Sequence, residues 1–484
     1  MRRTTIIAAA AVGALTLSAW TASAADARAL GGDRIAANAS LTSVSPGAPA
    51  ASRADAPPAP PAPPAPPLPH PAADTMTSSF DVSGVHVILR RNAANDVVAA
   101  NLYLLGGTRQ VADSNAGIEP MMLWVSEFGT RRYSREALRR KTAELGSTIV
   151  VEPRDDWTMF GFRGVRSTFD STWMILADRL IEPTLDSGAV ELVRAQVLSA
   201  VRQRTDSPDN LVQYLADSIA FSPSHYALSP AGTESSIESI SAAELRRFRD
   251  TQLVTSRMLL VVVGNVDRAQ VERLVSGTIG KLPRGDYKWT TPEGAGPRQG
   301  ASVLVERALP TNYIQGYYSG PSATNPDYQA LRVATAVLTG RMFAEIRSRR
   351  NLTYAVDAPF VERAVAAGGL YVTTTSPDTV LMLMRQEISD LQNGLVDGDN
   401  LQVIISQFIT EYFLNTETNA AQADFLARAQ LYRGDWHTAD SFAEELRRVT
   451  PLDVRNAARR YMHGVRFAYV GDTSDVTKAL LDAF

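Results

Sequence analysis

An internal repeat is the feature that most constrains the fold of this chain. Residues 237–267 read IESISAAELRRFRDTQLVTSRMLLVVVGNVD, and residues 446–472 read LRRVTPLDVRNAARRYMHGVRFAYVGD. Each segment predicts a capped amphipathic helix, a short turn, an apolar strand and a Gly-Asn or Gly-Asp ending. The copies lie about 200 residues apart, too far for a solenoid repeat, which indicates two copies of one domain. A length of 484 residues agrees with two or three domains.

Composition excludes several classes of protein and site. A net charge of −3 argues against a general nucleic-acid or membrane-surface binder. The absence of cysteine excludes disulfides, thiolate metal sites and a cysteine nucleophile. The chain has five histidines, and no two of them stand at helical or zinc-finger spacing, so the sequence predicts no histidine-based zinc site.

The first residues are typical of an export signal. Arg2 and Arg3 precede an apolar run at residues 6–20, and Ala22-Ser23-Ala24 offers a small-residue cleavage site. A membrane anchor is the alternative, but the run is short for a span. We expect residues 1–24 to be a signal peptide cleaved near Ala24, and the mature protein to be periplasmic or secreted, without a membrane span.

An Ala/Pro-rich segment follows at residues 25–76 and is predicted to be disordered. Its core at residues 57–71, PPAPPAPPAPPLPHP, predicts an extended polyproline II spacer. A proline-binding partner is the alternative reason for such a sequence.

Residues 106–130, GGTRQVADSNAGIEPMMLWVSEFGT, connect an apolar strand at 99–105 to a short helix that ends at Gly129-Thr130. This strand–loop–helix unit resembles the active-site segment of the pitrilysin/insulinase (M16) family of zinc peptidases. In that family the helix carries the inverted zinc motif H-x-x-E-H and closes with Phe-x-Gly-Thr.

Aligned on this chain, the three motif positions fall on Pro120, Leu123 and Trp124. Proline and leucine offer no lone pair, and the indole nitrogen of tryptophan only donates. The family takes its third zinc ligand, a glutamate, from a later helix, and the matching position is Ala200. The resemblance therefore implies a degenerate motif that binds no metal and has no catalytic residue of its own. Another segment, Ser224-His225-Tyr226, resembles the family's His-Pro-Tyr, and His225 is expected to be structural.

A second motif is retained in the C-terminal half. Residues 341–356, RMFAEIRSRRNLTYAV, predict a short helix that runs into a strand. They resemble the family segment in which an Arg and a Tyr seven positions later bind the substrate backbone opposite the zinc. Here the pair is Arg347 and Tyr354. Their donors suit a developing oxyanion. The alternative is that Arg347 forms a surface ion pair with Glu345 or Asp357 while Tyr354 packs.

The resemblance covers residues 79–484 and implies an α+β fold. We expect two homologous domains, each an antiparallel sheet backed by helices, that form half of a clamshell. The expected boundaries are 77–288 for the N-terminal domain, 289–300 for a Gly/Pro-rich linker and 301–484 for the C-terminal domain.

Three functional hypotheses follow. In bacterial members built from two chains, one chain brings zinc and the other brings the Arg–Tyr pair. The leading hypothesis is an exported, non-catalytic subunit that binds no cofactor and supplies Arg347 and Tyr354 to a zinc-binding M16 paralogue, as a heterodimer or larger complex that cleaves peptides. The second is a pseudopeptidase that binds peptides or acts as a scaffold. The third, a peptidase active alone, lacks any nucleophile motif such as G-x-S-x-G.

Overall fold

The first half of the chain forms a six-stranded sheet. The computed structural model describes residues 76–292 and 298–484. The strands are β1 (Thr77–Val82), β2 (Val85–Arg91), β3 (Val97–Leu105), β4 (Thr148–Pro153), β5 (Trp157–Val165) and β6 (Met258–Gly264). Almost every side chain of β3 and β6 is buried. Because helices cover both faces of the sheet, these central strands have mostly apolar sequences.

The helices of this half lie between and after those strands. They are α1 (Ile118–Val125), α2 (Arg135–Glu144), α3 (Phe169–Ile181), α4 (Ser187–Asp206), α5 (Pro208–Phe221), α6 (Glu234–Ser239), α7 (Ala242–Gln252) and α8 (Arg268–Gly277).

The second half repeats the arrangement. Its strands are β7 (Ala301–Glu306), β8 (Asn312–Ser322), β9 (Val356–Asp357), β10 (Phe360–Val361), β11 (Val365–Thr374) and β12 (Arg466–Gly471). Its helices are α9 (Asp327–Met342), a π-helix (Phe343–Arg349), α10 (Pro377–Asn393), α11 (Gly398–Asn415), α12 (Asn419–Arg433), α13 (Phe442–Arg447), α14 (Pro451–Tyr461) and α15 (Lys478–Asp482).

The two sheets share one strand order. Strands β2-β6-β3-β5 are neighbours in the first sheet, and β7-β12-β8-β11 are neighbours in the second. The pairs β2–β6 and β7–β12 are parallel, and the remaining pairs are antiparallel. The repeated helices α7 and α14 both begin with a capping box. The predicted α+β fold with two homologous copies is confirmed, with one parallel pair in each sheet.

Each half contributes one helix to the sheet of the other half. Helix α5 packs on β8 and β12, where its Val212 lies in one buried cluster with Val470. Helix α12 packs on β3 and β6, where its Leu426 lies in one cluster with Val261. Two larger cores fill the space between each sheet and the helices of its own half. Separating the halves would therefore expose the apolar faces of both sheets to water.

Charged side chains also join the halves. Arg363, which precedes β11, places its Nε 2.7 Å from Oδ2 of Asp155, at the turn between β4 and β5. Its Nη2 donates to Oδ1 of Asp217 on α5 at 3.2 Å. Burial raises the pKa of Asp217 to about 6; Arg363 opposes the rise and Asp155 adds to it.

A second ion cluster lies beside the first. Glu362 accepts hydrogen bonds from Arg332 of α9 at 2.8 Å and from Arg428 of α12 at 2.9 Å. Burial opposes ionisation of this carboxyl group, but the two guanidinium groups outweigh it and hold the pKa of Glu362 at about 2. Helix α12 is thereby fixed to the C-terminal half while it covers the sheet of the N-terminal half.

Several expectations concern residues near or beyond the limits of the described structure. The predicted signal peptide, the Ala/Pro-rich segment up to residue 75 and residues 293–297 of the predicted linker lie outside the described residues. Just before that gap, Trp289 Nε1 donates to the carbonyl of Leu431 at 2.6 Å, and Arg109 Nη1 donates to the carbonyl of Thr290 at 2.8 Å. Among the helices at residues 76–292 and 298–484, none has both the length and the apolar character needed to cross a bilayer.

We predict that Asp217→Asn changes the pH dependence of stability in one direction. Between pH 4 and pH 6, folded Asp217 retains a proton that the unfolded chain releases near its ordinary pKa of 3.8. Its contribution to the free energy of unfolding therefore falls as pH rises through this window and is constant above it. The wild-type minus variant difference, measured by guanidinium denaturation, should fall from pH 4 to pH 6. A difference that rises or stays flat would contradict the assignment, and the surface variant Asp250→Asn controls for loss of one carboxylate.

Candidate functional site

The helix at the position of the zinc motif is short and firmly placed. Helix α1 follows Gly117, whose φ is 86°. A Cβ at this glycine would lie 2.8 Å from the carbonyl oxygen of Ala231, so a side chain is excluded by contact as well as by backbone conformation. Upstream, Gly106 donates its N–H to the carbonyl of Asp156 at 2.8 Å, which fixes the chain where it leaves β3. The local path from strand to helix is thus set by two glycines.

The four degenerate motif positions offer no metal ligand. Pro120 and Leu123 are buried, and Trp124 is half-buried against the first core. Pro120 fits α1 because it stands in the first turn, where a backbone N–H has no helical acceptor. Ala200 is exposed on α4, outside the row of valines that α4 buries. Zinc requires nitrogen, sulfur or oxygen ligands, and these side chains supply none. The residues present do not fit the family's zinc ion.

The rest of the described chain offers no metal site either. Residues 76–292 and 298–484 contain no group of three His, Cys, Asp or Glu side chains arranged to hold a metal ion. His225 lies between α5 and α6 with its ring centroid 4.3 Å from that of Tyr226. Burial, followed by the positive charge of Arg109, lowers the pKa of His225 to about 4. A neutral, partly buried imidazole agrees with the structural role expected for it.

An ion pair that the sequence analysis did not identify fixes the first turn of α1. Arg257 and Glu119 are 2% and 4% exposed, and Arg257 Nη2 donates to Oε1 of Glu119 at 2.9 Å. The same guanidinium donates to the carbonyl of Leu105 at 2.8 Å and to that of Gln252 at 2.9 Å. One cation thereby joins α1 to the ends of β3 and α7. In the sequence, Glu119 and Arg257 each stand as a single charge at an apolar run, and this is the signal that could have revealed the pair.

A second buried arginine holds the other end of α1. Arg179 of α3 donates through Nη2 to the carbonyl of Leu123 at 3.2 Å and through Nε to Ser126 Oγ at 3.1 Å. Burial lowers the pKa of this guanidinium to about 10, while Glu127 raises it. A cation is favourable at a helix C-terminus, where the carbonyl groups lack helical donors. Helix α1 is therefore anchored by arginines at both ends.

The Arg–Tyr pair stands in a different environment, on the surface of the second half. Arg347 lies in the π-helix, and its Cζ is 4.9 Å from the ring centroid of Tyr354 and 4.9 Å from that of Phe343. Tyr354 is 82% exposed. Such guanidinium–aromatic contacts are favourable and orient the planar group. The structure brings the two predicted residues into direct contact.

The charges around Arg347 are satisfied by other partners. Glu345 pairs with Arg349 and, at 2.8 Å, with Arg350. Arg341 pairs with Glu387 on α10 at 2.7 Å. Arg347 makes no ion pair with any residue in the described ranges. The alternative in which Glu345 or Asp357 neutralises Arg347 is not what the structure shows, and the Arg347 side chain keeps its donors available.

Comparison with known proteins identifies the family. Residues 239–408 match the family described as the peptidase M16 inactive domain. The mitochondrial-processing peptidase subunit beta of Blastocladiella emersonii is 24% identical over 403 residues, which cover 80% of this chain and 86% of that protein. The chain is a homologue of the M16 peptidases.

Solved structures agree with this assignment. The peptidase M16 inactive domain from Pseudomonas fluorescens superposes with a TM-score of 0.75 at 16% identity, over 82% of this chain and 98% of that one. The periplasmic protease PqqL from Escherichia coli superposes with a TM-score of 0.68 at 16% identity, over 91% of this chain and 50% of that one. At this identity the structures establish the fold alone. The M16 resemblance predicted from the two motifs is confirmed.

We predict that Glu119→Ala destabilises this M16 homologue by about 3 to 5 kcal/mol, because it leaves the Arg257 charge buried and unpaired. Chemical denaturation measures the loss. Glu127→Ala is the matched control, since this carboxylate is 59% exposed and 4.0 Å from Arg179, and it should cost less than about 1 kcal/mol. The double variant Glu119→Leu/Arg257→Met should recover most of the loss. Equal costs for the two single variants would contradict the anchoring role.

Proposed function

We propose that this chain is an exported, non-catalytic M16 subunit that supplies Arg347 and Tyr354 to peptide hydrolysis at the zinc site of a partner M16 chain. The proposal rests on the surroundings of Arg347 and Tyr354. Arg347 is stacked between two rings and has no ion-pair partner in the described residues, and Tyr354 projects into solvent. By contrast, the structural arginines Arg257 and Arg363 are each paired with a carboxylate.

The chemistry of the pair suits the transition state of peptide hydrolysis. A guanidinium and a phenol donate hydrogen bonds and need no proton transfer to do so. Donors aimed at the oxygen that becomes negatively charged stabilise the transition state more than the ground state. Phe343 and Tyr354 keep the guanidinium in one orientation, so little conformational freedom is lost when it acts. The zinc ion, held by the partner, would supply the Lewis acid and the nucleophile.

A partner chain is needed for catalysis because α1 carries no zinc ligand. The helix is retained and anchored, but Pro120, Leu123 and Trp124 provide no ligand and no base. The related Blastocladiella protein is named as a subunit, and the related PqqL chain is twice as long as the part that this chain matches. Both observations agree with a chain that works together with a second M16 chain.

Strand β4 provides a place for the peptide. It is the last strand of its sheet, and in the described residues it pairs only with β5. It also packs beside α1. An extended peptide that adds to this edge would make main-chain hydrogen bonds of low sequence specificity. The same edge serves the second candidate function, a pseudopeptidase that binds peptides without contributing to cleavage.

Export is proposed from the first residues of the sequence. The basic start, the apolar run at 6–20 and the cleavage site near Ala24 direct the chain to the periplasm or the medium. The related PqqL protein is itself described as periplasmic.

We predict that Arg347→Ala and Tyr354→Phe each lower kcat/KM of the assembled enzyme by about 10²- to 10³-fold, the usual effect of removing one oxyanion donor. The loss should appear in kcat, because the hydrogen bonds strengthen in the transition state. Hydrolysis of a quenched fluorescent peptide measures it, with the complex reconstituted from this chain and a zinc-binding M16 paralogue.

The control for that experiment is Arg349→Ala. Arg349 lies in the same π-helix but pairs with Glu345, which keeps Arg350 as a second partner. Its activity should stay close to that of the wild type. Size-exclusion chromatography must show that every variant still assembles. Full activity of both Arg347→Ala and Tyr354→Phe in an intact complex would overturn their roles and favour the pseudopeptidase.

A further inference from the structure

Helix α11 presents a face that nothing in the described residues covers. Only Leu401 and Ile405 are fully buried along its 18 residues. Ile404, Phe408, Ile409 and Tyr412 are half-buried against the second core. On the other side, Val403, Gln407, Thr410 and Leu414 recur at the spacing of one helical stripe, and all four are exposed. We call these four residues, with the adjacent Phe413, the α11 face.

Several of the most exposed apolar side chains lie on or just before α11. Val403 and Leu414 are each 57% exposed, Phe413 is 58% exposed, and Leu395, just before the helix, is 61% exposed. The other exposed large apolar side chains of the described residues lie on other elements. Single exposed apolar residues are ordinary, but several of them on one helix are typical of an interaction site.

The chain segment that contains the face carries charge of one sign. Residues 386–427 contain no Lys, Arg or His, although the whole chain has 48 Lys and Arg, and they contain seven Asp and Glu. Four of these carboxylates are engaged: two pair with Arg341, one pairs with Arg428 and one caps α11.

Two of the remaining carboxylates lie at opposite ends of the helix. Asp399 in its first turn and Glu417 just after its end are exposed, and neither has an ion-pair partner at residues 76–292 or 298–484. The α11 face thus combines the exposed apolar side chains of Val403, Phe413 and Leu414 with an exposed carboxylate at each end of the helix.

We propose that the α11 face docks a basic amphipathic helix of another polypeptide. The apolar ridge of that helix would pack along the stripe from Val403 to Leu414, and its Arg or Lys side chains would reach Asp399 and Glu417. Eighteen residues of α-helix span about 27 Å, so the ligand needs a helix of similar length with cations near both ends. The surface uses neither Arg347 nor Tyr354, and the proposal goes beyond the proposed function.

A second copy of this chain does not fit the face. In an antiparallel pair of α11 helices, Asp399 of one copy would oppose Glu417 of the other. In a parallel pair, each carboxylate would oppose its own equivalent. Like charges across an interface cost several kcal/mol. The charges therefore select a basic ligand over self-association.

The test uses the purified chain and a synthetic 18-residue peptide. The probe has leucine at i, i+3, i+4 and i+7 positions, arginine on the flanks of that stripe and a fluorescein label. A matched probe has glutamate in place of every arginine. Fluorescence anisotropy should show binding of the basic probe, weakened by added salt, and at least about tenfold weaker binding of the acidic probe.

Variants of the face locate the binding. Val403→Glu/Leu414→Glu should weaken binding of the basic probe by at least about tenfold, and Asp399→Asn/Glu417→Gln should weaken it and reduce its salt dependence. Leu192→Glu is the matched control, because Leu192 is 54% exposed on α4, and it should leave the affinity unchanged. Circular dichroism checks that each variant is folded. Arg347→Ala should bind the probe like the wild type, so the result is independent of peptidase activity.

Four results would overturn the proposal. They are no binding of the basic probe, equal binding of the two probes, binding unchanged by Val403→Glu/Leu414→Glu, and a dimer in sedimentation equilibrium that this double variant abolishes. The last result would assign the face to a second copy.

Discussion

Arg363 is the residue on which the joining of the two halves depends. It stands in the C-terminal half and holds Asp155 and Asp217 of the N-terminal half in a buried site. Such an ion group adds little net stability over apolar packing, but removing one partner costs several kcal/mol, so the halves dock in one way. The exchanged helices α5 and α12 also require this one docking arrangement, because each covers the sheet of the opposite half. The relative positions of β4, α1 and the Arg347–Tyr354 pair are consequences of this docking.

Helix α1 and the π-helix differ in what their motif residues do. Those of α1 support the fold, whereas those of the π-helix are available for chemistry. At α1 the positions of the zinc motif hold apolar side chains, yet Arg257 and Arg179 tie the helix to four other segments. The helix is therefore retained as part of the first core. At the π-helix the reverse holds, since neither Arg347 nor Tyr354 belongs to a buried core, and Tyr354 is 82% exposed. An insertion of this type in an α-helix often accompanies a functional site, because it costs backbone hydrogen bonding that packing alone does not require.

Much of the fold could be predicted because its signals are local. Strand β3 begins two residues before the predicted strand at 99–105 and ends where predicted, and both repeated helices have the predicted caps, since apolar runs and capping patterns act within a few residues. Helix α5 was not predicted, because its apolar face is defined by the other half of the chain. The motif residues could be located by resemblance. The pairing of Glu119 with Arg257, 138 positions apart, could not, because it depends on the packed fold.

The central claim is that this chain contributes to catalysis only with a zinc-binding partner. The most direct measurement is the zinc content and peptidase activity of the purified chain, alone and in complex with an M16 paralogue that carries an intact H-x-x-E-H motif. The account predicts no bound zinc and no turnover for the chain alone, and both for the complex. Stoichiometric zinc and turnover in the isolated chain would contradict it, because Pro120, Leu123, Trp124 and Ala200 would then not mark the metal site.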